Sequence, residues 1–279
     1  MIDIIDGKKV SQKVRDEVKE QVNELKAKGI SPKLAVIMVG ENPASKVYVR
    51  NKSKACSEVG IEFEEYLLPE TTKQDELLNL IDKLNNDKSV HGILVQSPLP
   101  NALDSQVAFQ RILPEKDVDC FNAVNVGKMV IGLDGPLPCT PAGVIRLLEE
   151  YNIDIEGKNL VVLGRSNIVG KPMGLLALRK NATVTICHSK TKNLKEITSK
   201  ADILISAIGK PKFVTQDMVK QGACVIDVGM NHDENGKLCG DVDFENVKEI
   251  ASYITPVPGG VGPMTIAILL SNCVEAAKL

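Results

Sequence analysis

The length, composition and charge of the chain exclude several classes of protein. Its 279 residues, 43% of them hydrophobic and 25% charged, suit one or two globular domains, and the formal net charge of -2 gives no general attraction to nucleic acid or to an anionic membrane. Aromatic residues make up only 3%, the seven cysteines show no CxxC spacing, and the acidic N-terminus lacks the apolar core of a signal peptide. We therefore expect a soluble, cytoplasmic protein with reduced thiols that binds neither nucleic acid nor membranes.

The first half of the chain alternates between helical and strand periodicity. Valines at helical spacing predict a helix that starts near Lys8 and ends at Gly29. The pattern then predicts a strand at 33–40, a helix from Pro43 to Val59, a strand at 61–68, a helix at 73–87 and a strand at 90–96. Strands that alternate with helices imply right-handed crossovers and therefore a parallel sheet.

A second alternating block begins near Pro138. Thr140 is expected to cap its first helix, with Pro141 at the first helical position, where a missing N–H costs nothing. Strands are predicted at 159–164, 182–188, 201–209 and 223–229, and a last apolar helix at 263–279. The predicted fold is α/β, with two α/β domains flanking a cleft and a Rossmann-like, doubly wound parallel sheet in the second. The boundary falls in the Gly/Pro-rich segment 132–141, so the domains cover 1–139, with 264–279 packing back on it, and 140–263.

The segment VVLGRSNIVGKPMG, residues 161–174, predicts a strand, a glycine turn and the start of a helix. Backbone N–H groups from Gly164 to Val169 suit a phosphate at such a helix N-terminus. Gly164 and Gly170 lie six apart with no middle glycine, so an ordinary strand-to-helix turn is the alternative. The next strand ends without the acidic residue that holds an NAD ribose. The end of that strand instead offers Ser189, Lys190 and Lys192, and the glycine loop offers Arg165. These side chains suit a ribose 2′-phosphate, which indicates NADP as the cofactor.

Tyr48 and Lys52 lie four residues apart and therefore share one face of their predicted helix. A solvated lysine beside a half-buried tyrosine is the structural alternative. Three basic neighbours on the same helix favour a functional lysine, because positive charges lower the pKa of an amine: Lys46, Arg50 and Lys54. A partly neutral Lys52 could accept a proton.

Three further segments contain polar or glycine-rich patterns. VQSPLP ends a predicted strand with Gln96, at the sheet edge where ligands collect in α/β proteins. PEKDVDCFN places Asp117 and Asp119 in one loop, for which an Asp-rich turn is the alternative. TPVPGGVGPMT combines prolines and glycines into a rigid loop whose backbone a ligand can approach closely. No metal is expected, since the three histidines lack ligand spacing: His91, His188 and His232.

Taken in order, these motifs resemble those of the methylenetetrahydrofolate dehydrogenase/cyclohydrolase family. The resemblance covers essentially the whole chain. It implies a homodimeric enzyme that oxidises 5,10-methylenetetrahydrofolate with NADP and then hydrolyses the methenyl product to 10-formyltetrahydrofolate. It also makes 1–139 the folate-binding catalytic domain and 140–263 the NADP-binding domain.

The resemblance implies a role for each matching residue. Lys52 is similar to the catalytic lysine, Tyr48 to the ring that stacks on the folate, and Gln96 to the glutamine that tunes the lysine. Asp119 resembles the aspartate that binds the pterin. Ser45 lies close to the same site, Pro258 and Gly259 resemble the loop over the folate, and the implied cofactor residues are Gly164, Arg165, Ser166, Ser189 and Met230.

Two positions depart from the family pattern. Ser97 replaces a leucine beside Gln96, which puts the hydrogen bonding of the lysine in question. Cys120 replaces a glycine beside Asp119, which restricts the backbone there. Three other functions remain open: a folate dehydrogenase without the hydrolase step, a non-folate NADP oxidoreductase, and a non-catalytic NADP-binding module.

Overall fold

A computed structural model of the chain describes residues 2–279. Its strands are β1 (Asp3–Ile4), β2 (Lys33–Val39), β3 (Glu62–Leu68), β4 (Gly92–Val95), β5 (Asn159–Leu163), β6 (Thr183–Cys187), β7 (Ile203–Ser206), β8 (Cys224–Asp227), β9 (Asn231–His232), β10 (Leu238–Cys239) and β11 (Tyr253–Ile254). Its helices are α1 (Gly7–Ala27), α2 (Pro43–Val59), α3 (Gln74–Asn86), α4 (Ser105–Arg111), α5 (Ala123–Ile131), α6 (Cys139–Glu150), α7 (Gly170–Arg179), α8 (Leu194–Thr198), α9 (Phe244–Val247) and α10 (Val261–Ala276). The alternation of helices and strands confirms the predicted α/β class.

The chain divides into two compact units. The six-stranded unit consists of the chain up to Ser11 together with Pro138–Thr265, and the three-stranded unit consists of Gln12–Leu137 with Ile266–Leu279. The division into functional domains at residues 139 and 140 stays a prediction. None of the helices among residues 2–279 has the length and apolar character needed to cross a membrane.

The six-stranded unit contains a parallel sheet with the strand order β1-β11-β8-β7-β5-β6. From β5 the chain adds β6 on one side and then β7, β8 and β11 on the other. This reversal is the winding of a Rossmann-like sheet, and ligands bind at the carboxyl ends of the strands where it occurs. That point lies between β5 and β7. One face of the sheet packs on a core that includes Val161, Leu204 and Val225.

The three-stranded unit contains the parallel sheet β3-β2-β4. Strand β2 lies in the centre and is buried along almost its whole length, as expected for its continuous apolar sequence. Helix α3 covers one face through Leu77, Ile81 and Leu84, which follow helical spacing. The carboxyl ends of β2 and β4 therefore share one edge of this sheet.

Local sequence signals explain most helix boundaries. Helix α2 spans the predicted residues, with Asn42 as its N-cap, Pro43 in its first turn and Gly60 in the left-handed conformation at its C-cap. The predicted cap at Thr140 is wrong, because α6 begins earlier, at Cys139. The Thr140 hydroxyl instead forms a 2.9 Å hydrogen bond with the hydroxyl of Thr265.

Candidate active site

Helix α2 carries three of the predicted site residues in the three-stranded unit. The Asn42 side chain accepts a hydrogen bond from the backbone N–H of Ser45 at 3.0 Å, which fixes the start of the helix. Tyr48 is 38% exposed, and Lys52, one turn further along, is half-buried. The hydroxyl of Ser45 is buried and has no hydrogen-bond partner within the part of the chain that the structure describes. A buried polar group of this kind is costly unless a ligand or water satisfies it.

The structure brings Lys52 and Gln96 together. The Lys52 ammonium donates to Gln96 Oε1 at 2.8 Å, and Gln96 Nε2 donates to the carbonyl of Ser97 at 2.7 Å. The second bond fixes the amide with its oxygen toward the lysine. Gln96 follows β4 at the carboxyl end of the sheet, as predicted, and is 8% exposed. Gln96 therefore gives the amine an acceptor that carries no negative charge of its own.

The structure changes the expected effects of two neighbours of Lys52, namely Lys46 and Ser97. Lys46 lies 2.8 Å from Glu41 in an exposed ion pair, so the negative charge of Glu41 offsets part of the positive charge that Lys46 adds to α2. Ser97 is exposed and contributes its backbone carbonyl to Gln96, a group that every residue type carries. The replacement of a leucine by Ser97 thus leaves the hydrogen bond that orients Gln96 intact.

The two aspartates after α4 have different environments. Asp117 is buried, and its carboxylate accepts hydrogen bonds from Phe121 N at 3.1 Å, Asn122 N at 2.8 Å and Asn125 Nδ2 at 3.0 Å. Burial raises the pKa of Asp117, while these donors oppose the shift. Asp117 therefore stabilises the turn through its hydrogen bonds, as expected of an Asp-rich turn. Asp119, by contrast, is only half-buried.

Cys120 adopts the left-handed conformation, with φ of 59°, in the loop that carries Asp119. Glycine takes this conformation without strain, whereas other residues pay roughly 1–2 kcal/mol. The chain therefore keeps a glycine-like backbone at this position despite the Cys120 side chain. Burial raises the pKa of the Cys120 thiol to about 12, and the charges of Asp117 and Asp119 add to the shift.

This environment predicts that the Cys120 thiol is unreactive in the native protein. With the pKa at about 12, only about one thiol in ten thousand is ionised at pH 8, and the thiolate is the nucleophile. Iodoacetamide should modify the half-buried Cys239 first and Cys120 only after denaturation, as followed by peptide mass spectrometry. Equal labelling of both cysteines in the native protein would show that the Asp119 loop opens readily.

The glycine loop between β5 and α7 has the close contacts expected of a phosphate cradle. A Cβ atom on Gly164, which has φ of 115°, would lie 2.3 Å from the carbonyl oxygen of Ala207, at the end of β7. A Cβ on Gly170 would lie 2.2 Å from the carbonyl oxygen of Gly164. Both positions therefore require glycine, and the loop lies at the point where the winding of the sheet reverses.

Only part of the predicted run of donors in this loop is available to a ligand. The N–H of Gly164 bonds to the carbonyl of Cys187 at 2.9 Å, and the N–H of Val169 bonds to Ser166 Oγ at 3.2 Å. Within residues 2–279, the N–H groups of 165–168 donate no hydrogen bond. Four consecutive backbone donors before a helix N-terminus fit the pyrophosphate of a dinucleotide. The predicted range from Gly164 to Val169 therefore narrows to 165–168.

The turn after β6 carries Ser189 and Lys190 next to this loop. Strands β5 and β6 are adjacent in the sheet, with Leu163 opposite Cys187, so both turns leave the same edge. The side chains of Arg165, Ser189 and Lys190 are exposed. This position offers a hydroxyl and positive charges in place of a carboxylate, as a ribose 2′-phosphate requires.

The remaining predicted residues lie on two loops at the carboxyl edge of the six-stranded sheet. Met230 follows β8, and its methyl group would lie 3.6 Å from a Cβ placed on Gly262. Gly259 has φ of 106°, and the peptide bond between Val257 and Pro258, just before it, is cis. A Cβ on Gly7 would overlap the carbonyl oxygen of Gly260, so the first turn of α1 fits closely against this loop.

The sequence did not reveal one group of buried carboxylates. Asp227 is 3% and Asp241 0% exposed, and both bind backbone donors of the loops that follow β7 and β8. A polar residue directly at the end of a buried strand was the available signal for Asp227. Asp241 lies in an irregular segment whose pattern carries no such signal.

Two family models match the chain. Residues 5–119 match the catalytic domain of tetrahydrofolate dehydrogenase/cyclohydrolase. Residues 138–279 match the NAD(P)-binding domain of the same family. The two matches together span most of the chain.

Individual relatives agree with these matches. A protein of Agathobacter rectalis named bifunctional protein FolD is 62% identical over 278 residues, which are 100% of both chains. The crystal structure of a bifunctional FolD methylenetetrahydrofolate dehydrogenase/cyclohydrolase from Campylobacter jejuni is 53% identical with a TM-score of 0.98, and covers 100% of this chain and 99% of that chain. A Trypanosoma brucei N5,N10-methylenetetrahydrofolate dehydrogenase-cyclohydrolase, solved with NADP and an inhibitor, is 39% identical with a TM-score of 0.95, over 99% of this chain and 97% of that chain.

Proposed function

The chain belongs to the tetrahydrofolate dehydrogenase/cyclohydrolase family, and from this premise we infer what its site residues do. The protein is a bifunctional enzyme that oxidises 5,10-methylenetetrahydrofolate with NADP and hydrolyses the methenyl product to 10-formyltetrahydrofolate. The Lys52–Gln96 hydrogen bond is the observation that supports the assignment of the catalytic residues. It joins an amine and an amide that a purely structural role does not require.

We propose that Lys52 is the general base of the hydrolytic step. The methenyl carbon is already electrophilic, so attack by water needs a placed water molecule and a proton acceptor. The neutral Lys52 amine accepts the proton of the attacking water as the carbon–oxygen bond forms. The resulting ammonium then returns this proton to the folate nitrogen as the bond from that nitrogen to the carbon breaks. The proton of the new hydroxyl is released to solvent as the formyl C=O forms, so that one proton is released overall. General-base help of this kind is worth about a hundredfold to ten-thousandfold.

Gln96 keeps Lys52 in place both when the amine takes up the proton of water and when the ammonium returns it. Its amide oxygen accepts from either the neutral or the charged amine, so the contact survives the change in protonation. A carboxylate at this position would hold the lysine in its charged form and remove the base. Gln96 therefore acts on Lys52 rather than on the substrate.

The folate-binding roles rest on three positions in the three-stranded unit. Asp119 can accept two hydrogen bonds from the amino edge of a pterin, and it lies on a turn that Asp117 fixes. The ring of Tyr48 is exposed enough to stack on a bound aromatic group. The unsatisfied Ser45 hydroxyl gives a substrate or its water a polar partner inside the site.

The six-stranded unit fits NADP. The glycine positions 164 and 170 leave space that a Cβ would fill, and the free N–H groups of 165–168 point to an anionic ligand. When bound, NADP accepts the hydride, and the protein contributes position and electrostatics. A nicotinamide held against the methylene carbon of the folate would make hydride transfer effectively intramolecular, which can lower the barrier by roughly 7–11 kcal/mol.

The proposed contact between the Arg165 guanidinium and the ribose 2′-phosphate predicts that the enzyme prefers NADP over NAD. A charge-assisted bond from the guanidinium to the phosphate is worth about 1.5–3 kcal/mol, or at least a tenfold preference. Arg165→Ala should reduce kcat/KM with NADP about tenfold and leave kcat/KM with NAD unchanged. Arg179→Ala, an exposed arginine at the other end of α7, is the matched control. An Arg165→Ala variant that keeps its preference, or a wild type without one, would contradict the assignment.

We propose that the protein is a homodimer that pairs through β3. Strand β3 bonds to β2 on one side and has half-exposed residues, with Leu67 61% exposed. The other edge strand, β4, is buried and bridged to Asp117. An exposed strand edge with an apolar residue readily pairs with another chain. A second copy of this chain is the partner that the family resemblance implies.

Sedimentation analysis tests this arrangement. The wild type should sediment as a dimer, and Leu67→Lys should shift the equilibrium toward monomer. Leu178→Lys introduces the same charge at a similarly exposed leucine on α7 and should leave the dimer intact. A wild-type monomer, or equal behaviour of both variants, would refute the proposed interface.

We also propose that the enzyme acts in the cytoplasm. Its seven cysteines are all free thiols, and six of them are buried. Free thiols of this kind persist in a reducing compartment.

A further inference from the structure

Two buried carboxylates at the carboxyl edge of the six-stranded sheet have no role in the chemistry above. Asp227 is the last residue of β8, and Asp241 lies two residues after the end of β10. Within residues 2–279, neither of them forms an ion pair with a lysine, arginine or histidine. We call Asp227 and Asp241 the carboxylate pair. Burying two carboxylates without a cation costs free energy of folding unless hydrogen-bond donors compensate their charge.

Asp241 is completely buried, and all its partners are hydrogen-bond donors. A carboxylate has about four acceptor positions, and here each is filled. The donors are Ser206 Oγ at 3.0 Å, Ile208 N at 2.8 Å, Lys210 N at 2.9 Å and Asn231 Nδ2 at 2.9 Å. Asp241 therefore joins residues 206–210, the last residue of β7 with the loop after it, to residues 228–231, the loop after β8 with the first residue of β9. We call these two segments the loops 206–210 and 228–231.

Asp227 extends the same network. Its carboxylate accepts from Gly229 N at 2.9 Å, Asp241 N at 2.9 Å and Val242 N at 2.8 Å. Its own N–H donates to Thr255 Oγ1 at 2.7 Å, at the start of the loop that contains Pro258. The carboxylate pair thus links three loops at one edge of the sheet.

The backbone is fitted closely around the carboxylate pair. A Cβ on Gly229 would lie 2.2 Å from Asp241 Oδ1, and a Cβ on Gly240 would lie 1.9 Å from Asp227 Oδ2. Burial and the nearby charge of Asp241 raise the pKa of Asp227 to about 7, and the backbone donors oppose this shift. The loops therefore depend on both acids for their conformation.

The position of the pair in the sheet indicates which part of a ligand these loops face. The adenosine side of the proposed cofactor site lies at β6, with Ser189, and the pyrophosphate side lies at β5, with the backbone N–H groups of 165–168. A dinucleotide that continues in the same direction along the sheet places its other half at β7 and β8. Met230 lies there, between Gly229 and Asn231, which both bond to the pair.

We propose that Asp241, supported by Asp227, is a positioning residue that holds the loops 206–210 and 228–231 for the nicotinamide half of NADP. This inference rests on the proposed dehydrogenase function. Asp241 itself cannot touch a ligand, because its side chain is fully buried and saturated by donors from the protein. Its effect reaches the cofactor through Met230 and the backbone of both loops.

The test compares ligands that fill one or both halves of the cofactor site. Asp241→Asn keeps the size of the side chain but turns an NH₂ group toward two of the donors. We expect the Kd for NADP, measured by calorimetry, to rise about tenfold or more, the usual loss for broken bonds to a buried charge. The Kd for adenosine 2′,5′-bisphosphate, which lacks the nicotinamide half, should not change. Hydrolysis of methenyltetrahydrofolate, which requires no NADP, should also be retained.

Two further variants separate positioning from structural damage. Asp243→Asn makes the same chemical change two residues away, where the carboxylate bonds to Asn246, and should leave all three readouts unchanged. Ser206→Ala removes one hydrogen-bond donor to Asp241, and Ser206 is itself fully buried. This variant should raise the Kd for NADP about threefold. It tests the positioning role of Asp241 even if Asp241→Asn does not fold.

Equal weakening of NADP and adenosine 2′,5′-bisphosphate would overturn the proposal, and so would unchanged NADP binding in both Asp241→Asn and Ser206→Ala. Loss of hydrolysis in folded Asp241→Asn would also contradict it. Failure of the proposed function is a separate result, since it would appear as a wild type that binds NADP but does not reduce it with methylenetetrahydrofolate.

Discussion

Replacement of Lys52 by methionine should lower the rate of methenyltetrahydrofolate hydrolysis at least about a hundredfold, the lower end of general-base effects. The change removes the amine and its 2.8 Å hydrogen bond to Gln96 while keeping an unbranched stem. The effect should appear in kcat, because the amine acts on the water rather than on substrate binding. Loss of the methenyl absorbance under saturating substrate measures it.

The neighbouring Lys54 provides the matched control for this experiment. Lys54 is exposed on the same helix, so Lys54→Met makes the same chemical change outside the site. It should leave hydrolysis unchanged. Normal hydrolysis in a folded Lys52→Met variant would identify Lys52 as a structural or surface lysine.

Replacement of Asp119 by alanine should raise the KM for methylenetetrahydrofolate about tenfold to a hundredfold, the range for loss of hydrogen bonds to a charged group. Asp119 is assigned to the pterin in the three-stranded unit, whereas the phosphate donors lie in the six-stranded unit. The Kd for NADP should therefore stay the same. Steady-state kinetics with each substrate varied in turn measures both effects.

Asp134→Ala is a suitable control for Asp119→Ala, since Asp134 is an exposed aspartate of the same unit. It should change neither the folate KM nor the affinity for NADP. Equal weakening of folate and NADP binding by Asp119→Ala would mean that the role of Asp119, or the fold of the turn around Cys120, is wrong.

Strong periodic signals in the sequence predicted the elements that carry the site. The helix that presents Tyr48 and Lys52 was predicted with its observed bounds, because a proline in its first turn and a glycine at its C-cap mark both ends. The pattern also predicts a strand at 90–96, and the observed strand covers Gly92–Val95, directly before Gln96. The edge of the sheet where these residues meet follows from the parallel arrangement.

Features that depend on tertiary contacts could not be predicted. Thr140 has the sequence signal of a cap, but its hydroxyl bonds to Thr265, which lies 125 residues away. Lys46 was expected to repel Lys52, yet its pairing with Glu41 depends on the conformation of the residues before α2. The role of Asp241 depends on donors from loops that lie up to 35 residues away in the sequence.

The most direct test of the two activities supplies the purified enzyme with methylenetetrahydrofolate and NADP and follows methenyl formation and methenyl decay separately. We expect NADPH to form only when both substrates are present, and enzyme to accelerate the decay of methenyltetrahydrofolate added alone. No NADP reduction above background by folded enzyme would contradict the dehydrogenase assignment. Reduction with no acceleration of methenyl decay would contradict the second activity and leave a dehydrogenase alone.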